Sequence, residues 1–336
     1  MAPKEAIALK LRMASATLTW PMLAAVFAFL LTGCGQTDKP VAIASCVWVG
    51  YEPLFLTHNE GWLNAKRVHL VETASASDSL QALVEGKVDG AALTLDEMLK
   101  ARAQGIPLTA VLIFDVSAGA DMLLVRPGIK TLSGLKGRRI GFEQDAVGGL
   151  MLASVLRAAG LTKEDIRLAP LTIDQHRDAW MRNKVDAIVT YEPVASQLLA
   201  QGANKLFDSG QIPNTIIDVL AIRSDVLDRS HAEAIRHIIS AHFKALDYMN
   251  RNPHDAAYRM ATHLGLPVAD VLSSFRGLLL PDAAGNHRML AGASPQLLDT
   301  AHKVSAMMVE EKLLPRDDTF TELVRADFLP ADVPLN

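Results

Sequence analysis

The sequence predicts an α/β protein built as two similar lobes, and three observations carry that prediction. From residue 41 to residue 201, short apolar runs alternate with stretches of helical periodicity, the pattern of a mainly parallel sheet with helices on both faces. One strand–turn–helix unit occurs twice. Lys87-Val88-Asp89-Gly90-Ala91 leads to Ala103-Gln104-Gly105, and ninety-seven residues on, Lys184-Val185-Asp186-Ala187-Ile188 leads to Ala200-Gln201-Gly202. Finally, 336 residues, 50% of them apolar, are enough to bury two cores.

The chain opens on an export address. Lys4, Lys10 and Arg12 precede an apolar stretch over 18–31, the layout of a secretory signal. That stretch falls short of the about 20 residues of a membrane-spanning helix. It ends in Leu31-Thr32-Gly33-Cys34, which resembles the lipobox of bacterial lipoproteins. The resemblance implies a signal peptide over 1–33, lipidation of Cys34, a membrane anchor in the inner or outer membrane, and a polar tether over 34–40. An ordinary secretory signal with an incidental cysteine is the alternative.

Beyond the tether, strands are expected at 41–49, 67–71, 88–93, 108–114, 139–142, 166–171 and 185–190. Helices are expected at 79–85, 95–104, 148–159, 175–182 and 193–201. The C-terminal third is helical, at 232–250, 253–263 and 295–311, with breaks at Asn252-Pro253 and Pro281-Asp282, and should pad the first lobe. In the repeat, the turns Thr94-Leu95-Asp96 and Tyr191-Glu192-Pro193 fall at matching places. Ligands of open α/β sheets bind beyond the carboxyl ends of strands, so these turns should face each other across a cleft.

Several classes drop out. A formal net charge of −4, without a block of like charge, gives nucleic acid no footprint. Ten histidines are scattered without His-Glu-x-x-His or Cys/His ligand spacing, so no metal is expected. There is no Gly-x-Ser-x-Gly elbow, Gly-x-Gly-x-x-Gly or P-loop, and no cofactor is expected. Cys46, inside the apolar run 41–49, reads as a buried inert thiol.

The segments Trp48-Val49-Gly50-Tyr51-Glu52-Pro53-Leu54 with Gly61, Leu80-Gln81-Ala82-Leu83 running into Gly86-Lys87-Val88-Asp89, and 132–141 come in a characteristic order. Together with Val185-Asp186-Ala187, Tyr191-Glu192-Pro193 and Ile217-Asp218-Val219-Leu220, they resemble the nitrate/sulfonate/taurine group of importer-binding proteins, which also holds binders of thiamine-precursor pyrimidines. The likeness covers 41–223 well and the tail loosely. It implies a type II periplasmic-binding-protein fold, with two crossing strands near 121–126 and 218–223 and a helical C-terminal extension on lobe one. Lobe one would be 41–121 with 224–336, and lobe two 122–223 including the hinge strands. It further implies a monomer that captures a small polar solute by lobe closure, hands it to an ABC permease and ATPase, and performs no chemistry. Two other readings stay open: a periplasmic ligand sensor, and an enzyme on a pyrimidine precursor or sulfinate with Cys46 as its candidate nucleophile.

The strand-end positions name the candidate ligand contacts: Tyr51, Glu52, Ser77, Asp78, Thr94, Asp96, Asp115, Ser117, Glu143, Gln144, Tyr191, Glu192 and Asp218. Capping alone also accounts for Ser77 and Asp78. Asp89 and Asp186, at the far strand ends, read as structural, and Trp48 as core. The strand-end loops carry carboxylates but no lysine or arginine, so a cationic or N–H-rich solute is expected, with a sulfonate or nitrate held at helix N-termini as the alternative.

Overall fold

The computed structural model describes residues 39–331; the signal segment 1–33, Cys34 and the tether up to residue 38 lie outside the described residues. The first lobe opens with β1 (Val41–Cys46), α1 (Glu52–Asn59), β2 (Val68–Thr73), α2 (Ala76–Val84), β3 (Gly90–Thr94), α3 (Leu95–Ala103) and β4 (Leu108–Ser117). The second follows with β5 (Asp121–Val125), β6 (Arg139–Phe142), α4 (Val147–Ala159), β7 (Arg167–Pro170), α5 (Ile173–Met181), β8 (Ala187–Tyr191), α6 (Val194–Ala200) and β9 (Asn204–Asp208). The chain then returns through β10 (Ile217–Arg223) to a helical tail. The tail consists of α7 (Ala232–Arg251), α8 (Pro253–Leu264), α9 (Val268–Ser274), β11 (Leu278–Leu279), α10 (Ala283–Leu290) and α11 (Gln296–Glu310).

Two sheets result, ordered β11-β4-β10-β3-β1-β2 and β7-β6-β8-β5-β9. Each holds three parallel strands (β2-β1-β3 and β7-β6-β8) followed by one antiparallel strand, β10 or β5. All ten residues of β4 are buried, as expected of a continuous apolar run covered on both faces. The sequence repeat is a structural one. β3 and β8 are offset by the same ninety-seven residues, and the aspartate before each does the same work. Asp89 accepts the Ala42 N–H at 2.7 Å and Asp186 the Arg139 N–H at 2.9 Å, each tying β3 or β8 to the start of its parallel neighbour. Both aspartates are therefore structural.

The crossings lie where they were expected to within a few residues. The passages between sheets are 118–120 and 209–216, directly before the strands at 121–125 and 217–223, with β5 in the second sheet and β10 in the first. They are joined at Ser209, whose Oγ lies 2.7 Å from Ser117 Oγ and accepts the Gly119 N–H at 2.7 Å. A Cβ on Gly277, whose φ is +87°, would lie 2.8 Å from the Gly119 carbonyl carbon, so the tail packs on this hinge only through glycine.

Element ends shift where side chains overrule periodicity. The strand expected over 41–49 stops at Cys46, and a 3-10 turn at Val49–Tyr51 leads into α1 with Pro53 in its first turn, where a missing N–H costs nothing. The short elements α1, α9, α10, β9 and β11 carry too little periodic signal to be read from sequence. The tail pads lobe one as expected. The stripe Ile235, Ile238, Ile239, His242, Ala245 and Leu246 of α7 is buried and packs on α1. The far end of α11 also reaches lobe two, where Arg157 meets Glu310 and Glu311 at 3.1 and 2.6 Å.

Candidate functional site

The carboxyl ends of β1, β3 and β8 and the amino ends of the antiparallel strands β5 and β10 converge on a cavity between the two sheets. It is lined by Cys46, Trp48, Tyr51, Ala76, Thr94, Glu97, Asp121, Val147, Tyr191 and Asp218. Its remaining free space is about 20 Å³, room for one water molecule, so the lobes are closed on one another.

Aromatic walls come first. Trp48 and Tyr191, one from each lobe, meet edge to face with ring centroids 5.4 Å apart, and Tyr51 packs edge-on against Phe114 at 5.2 Å. Trp48 Nε1 donates to Asp115 Oδ2 at 3.1 Å, an approach that Gly50 permits: a Cβ there would sit 1.8 Å from the same oxygen. Tyr51 donates to Asp218 Oδ1, and Tyr191 to Glu143 Oε2 at 3.3 Å.

The acids around these rings are buried. Glu97, Asp115, Asp121, Glu143 and Asp218 are each at most 3% exposed. Asp115 Oδ1, Asp121 Oδ2 and Asp218 Oδ2 accept no hydrogen bond, although a buried polar atom is normally satisfied. Burial pushes every one of these carboxyls up, Asp121 to about 7. Asp115 and Asp218 are cross-strand partners, and repulsion from Asp115 adds to the rise at Asp218. No lysine or arginine lines the cavity. One cation sits behind it. Lys100 Nζ lies 3.4 Å from Asp96 Oδ2 and donates to the Ala146 and Asp145 carbonyls of the opposite lobe at 2.9 and 3.2 Å.

The expected contacts divide sharply. Tyr51, Thr94, Tyr191 and Asp218 line the cavity, and Asp115 and Glu143 hold its aromatic walls. Asp96 is buried beside Thr94, whose Oγ1 donates to it at 2.7 Å. Ser77 contributes its backbone N–H to Glu143 at 2.9 Å, while Asp78 bonds to the cap residue Ser75. The others serve elsewhere. Glu52 is buried in lobe one, hydrogen-bonded to His263 of α8, because it lies one turn-step past Tyr51 on the interior side of α1. Glu192 caps its own helix, accepting from Ser196 N and Oγ at 3.0 and 2.9 Å. In both Tyr-Glu-Pro turns, then, the tyrosine faces the cleft and the glutamate its own lobe. Ser117 is a hinge residue, and Gln144 is exposed over outer grooves bounded by Lys312 and Leu313.

Sequence reasoning missed Ala76, Glu97, Asp121 and Val147 as cavity residues, and read Trp48 as core and Cys46 as an inert thiol or, in the enzyme reading, a candidate nucleophile. Glu97 had a signal: Thr94-x-x-Glu97 is a capping box, and Glu97 Oε2 does accept the Thr94 N–H at 2.9 Å. Cys46 ends its strand at the cavity rather than lying inside it. Burial, then Glu97, Glu143 and Asp218, push its thiol well up, against the thiolate form a nucleophile needs.

The fold is that of the type II periplasmic binding proteins. The alkanesulfonate-binding protein SsuA from Xanthomonas axonopodis pv. citri, bound to MOPS, superposes with a TM-score of 0.74 at 20% identity, covering 86% of this chain and 99% of that one. Residues 51–256 match the NMT1/THI5-like family model, and the chain belongs to that family. Among relatives, a "Putative aliphatic sulfonates-binding protein" of Escherichia coli K12 is 27% identical over 212 residues, 62% of this chain and 66% of that protein, so the match spans about two thirds of its length. The 4-amino-5-hydroxymethyl-2-methylpyrimidine phosphate synthase of Aspergillus parasiticus is 24% identical over 236 residues, 65% of this chain and 68% of that one. Binding proteins and an enzyme thus both stand among the relatives. Among the described residues, no helix is long and apolar enough to cross a membrane.

Proposed function

We propose that the chain is the extracytoplasmic solute-binding component of an ABC importer, tethered through lipidated Cys34. It takes up a small solute whose cationic or N–H-rich group meets the cleft carboxylates, closes, and presents the closed form to its permease and ATPase without altering the solute. The observation that carries the ligand class is the pair of buried carboxylates Asp121 and Asp218, each with an oxygen that accepts no hydrogen bond, in a cavity lined by no lysine or arginine. A guanidinium, amidine or amino-heterocycle would supply N–H donors to those oxygens and a flat face to Trp48, Tyr51 and Tyr191. Closure then follows as a population shift, since ligand stabilises the form in which both lobes touch it. The protonated Cys46 thiol supports binding over catalysis.

A sulfonate remains the second reading, favoured by the E. coli relative and by the starts of α2 and α4, whose N–H groups point across the cleft. A thermal-shift screen decides between them, because a bound solute raises the unfolding temperature by mass action. Guanidinium, amidine and aminopyrimidine compounds should stabilise the protein. Stabilisation by alkanesulfonates or nitrate alone would overturn the cationic reading.

A further inference from the structure

The two helix starts that face the cleft are not open. α4 of lobe two has Ala146 as its cap residue, which offers no side-chain acceptor, and its first N–H, from Val147, donates to Glu97 Oε1 of lobe one at 2.9 Å. α2 of lobe one has Ser75 capping the Asp78 N–H, and its Ser77 N–H donates to Glu143 Oε1 of lobe two at 2.9 Å. The arrangement is reciprocal: each lobe sends one glutamate into the helix start of the other. Both glutamates are 1% exposed, and both are fixed by a second bond, Glu97 Oε2 to Thr94 N at 2.9 Å and Glu143 Oε2 to Tyr191 Oη at 3.3 Å. Gly148 and Gly149 let the first turn of α4 sit close on the Glu143–Gln144 backbone of its own lobe. A Cβ at Gly148 would lie 2.6 Å from the Glu143 carbonyl oxygen, and one at Gly149 would lie 2.9 Å from that of Gln144.

We infer that Glu97 and Glu143 are specificity-determining residues that occupy the helix starts of the opposite lobe. By holding the N–H groups of Val147 and Ser77 in the closed cleft, they take the donors an anionic solute would need, leaving the orphaned aspartate oxygens to a cation. The inference rests on the carboxylate-cleft reading above and adds to it the mechanism of anion rejection. A helix N-terminus favours negative charge whoever supplies it, so weakening the protein's own acceptor there should pass that preference to solute.

The test is titration calorimetry on the full chain with two probes, methanesulfonate and methylguanidinium, against wild type, Glu97→Gln and Glu143→Gln. Glutamine keeps the volume and one acceptor oxygen while deleting the charge. Each variant should bind methanesulfonate at least about tenfold tighter than wild type, and the gain should be absent for the cation. The two variants are independent, so one that fails to fold leaves the other to decide, and the wild-type arm needs no variant. Methanesulfonate binding by wild type as tight as by the variants overturns the inference, as does the absence of a gain in a folded variant. Methylguanidinium separates the two levels. If it fails to bind wild type while the variants gain methanesulfonate, the inference stands and the cationic-solute reading falls. If it binds wild type and no variant gains methanesulfonate, the inference alone falls.

Discussion

Raising the pH should open the solute-free protein. The cleft acids come from both lobes: Glu97, Asp115 and Asp218 from the first, Asp121 and Glu143 from the second. Parting the lobes would return them to water and to the ordinary carboxylate range near 4. In the closed form burial raises them, Asp121 to about 7. A group raised in the closed form binds a proton there that it has released in the open form, so its contribution to closure is fully present below about pH 4 and is lost as pH rises through its closed-form value. For Asp121 that is about three pH units at about 1.4 kcal/mol each, or about 4 kcal/mol against closure above pH 7. Glu97, Asp115 and Asp218 add terms of the same sign. Lys100 opposes them at Glu97 only. His242, behind Phe114, is held down to about 3 and stays neutral throughout, and the Cys46, Tyr51 and Tyr191 protons are held above the window. Small-angle scattering between about pH 5 and pH 8 should therefore show the radius of gyration growing, with most of the change around neutrality. A cationic solute should reverse it at high pH, because a fixed positive charge replaces the protons. A radius constant across the range would refute the reasoning.

Glu52→Gln should leave solute affinity unchanged within about twofold but lower the unfolding temperature, because it removes the carboxylate from the buried pair with His263 and touches nothing in the cleft. A loss of affinity beyond about tenfold, measured by calorimetry, would return Glu52 to the site. Cys34→Ser should release the protein from membranes or leave it unprocessed, read by detergent partitioning, since stable attachment at this point needs acyl chains.

The fold was legible because its signals are redundant. Buried parallel strands read as unbroken apolar runs, as β4 shows over ten residues, and the Lys-Val-Asp repeat marked equivalent strands in two lobes. What stayed hidden was which sheet each crossing strand joins. A strand that joins the other sheet after a crossing, as β10 does, has the same local pattern as one that stays, because residue periodicity records burial and not the identity of the neighbour.

The site was half legible for a related reason. Strand ends located the cleft, and Tyr51, Thr94, Tyr191 and Asp218 were found there, but side-chain direction within a turn is a matter of one residue. Tyr51 and Glu52 are adjacent, yet the 3-10 turn at Val49–Tyr51 aims the ring at Asp218 and the carboxylate at His263. Glu97 was passed over because a glutamate three residues after a threonine has a sufficient local role, and only the opposing lobe reveals the second one. The acids that remain have no such local explanation. Asp115, Asp121 and Asp218 bury oxygens to which nothing donates, and well-packed apolar residues would be tolerated more cheaply at the same positions. Where local rules fail together, in one cavity and with one sign of charge, the cost is borne for something that enters it.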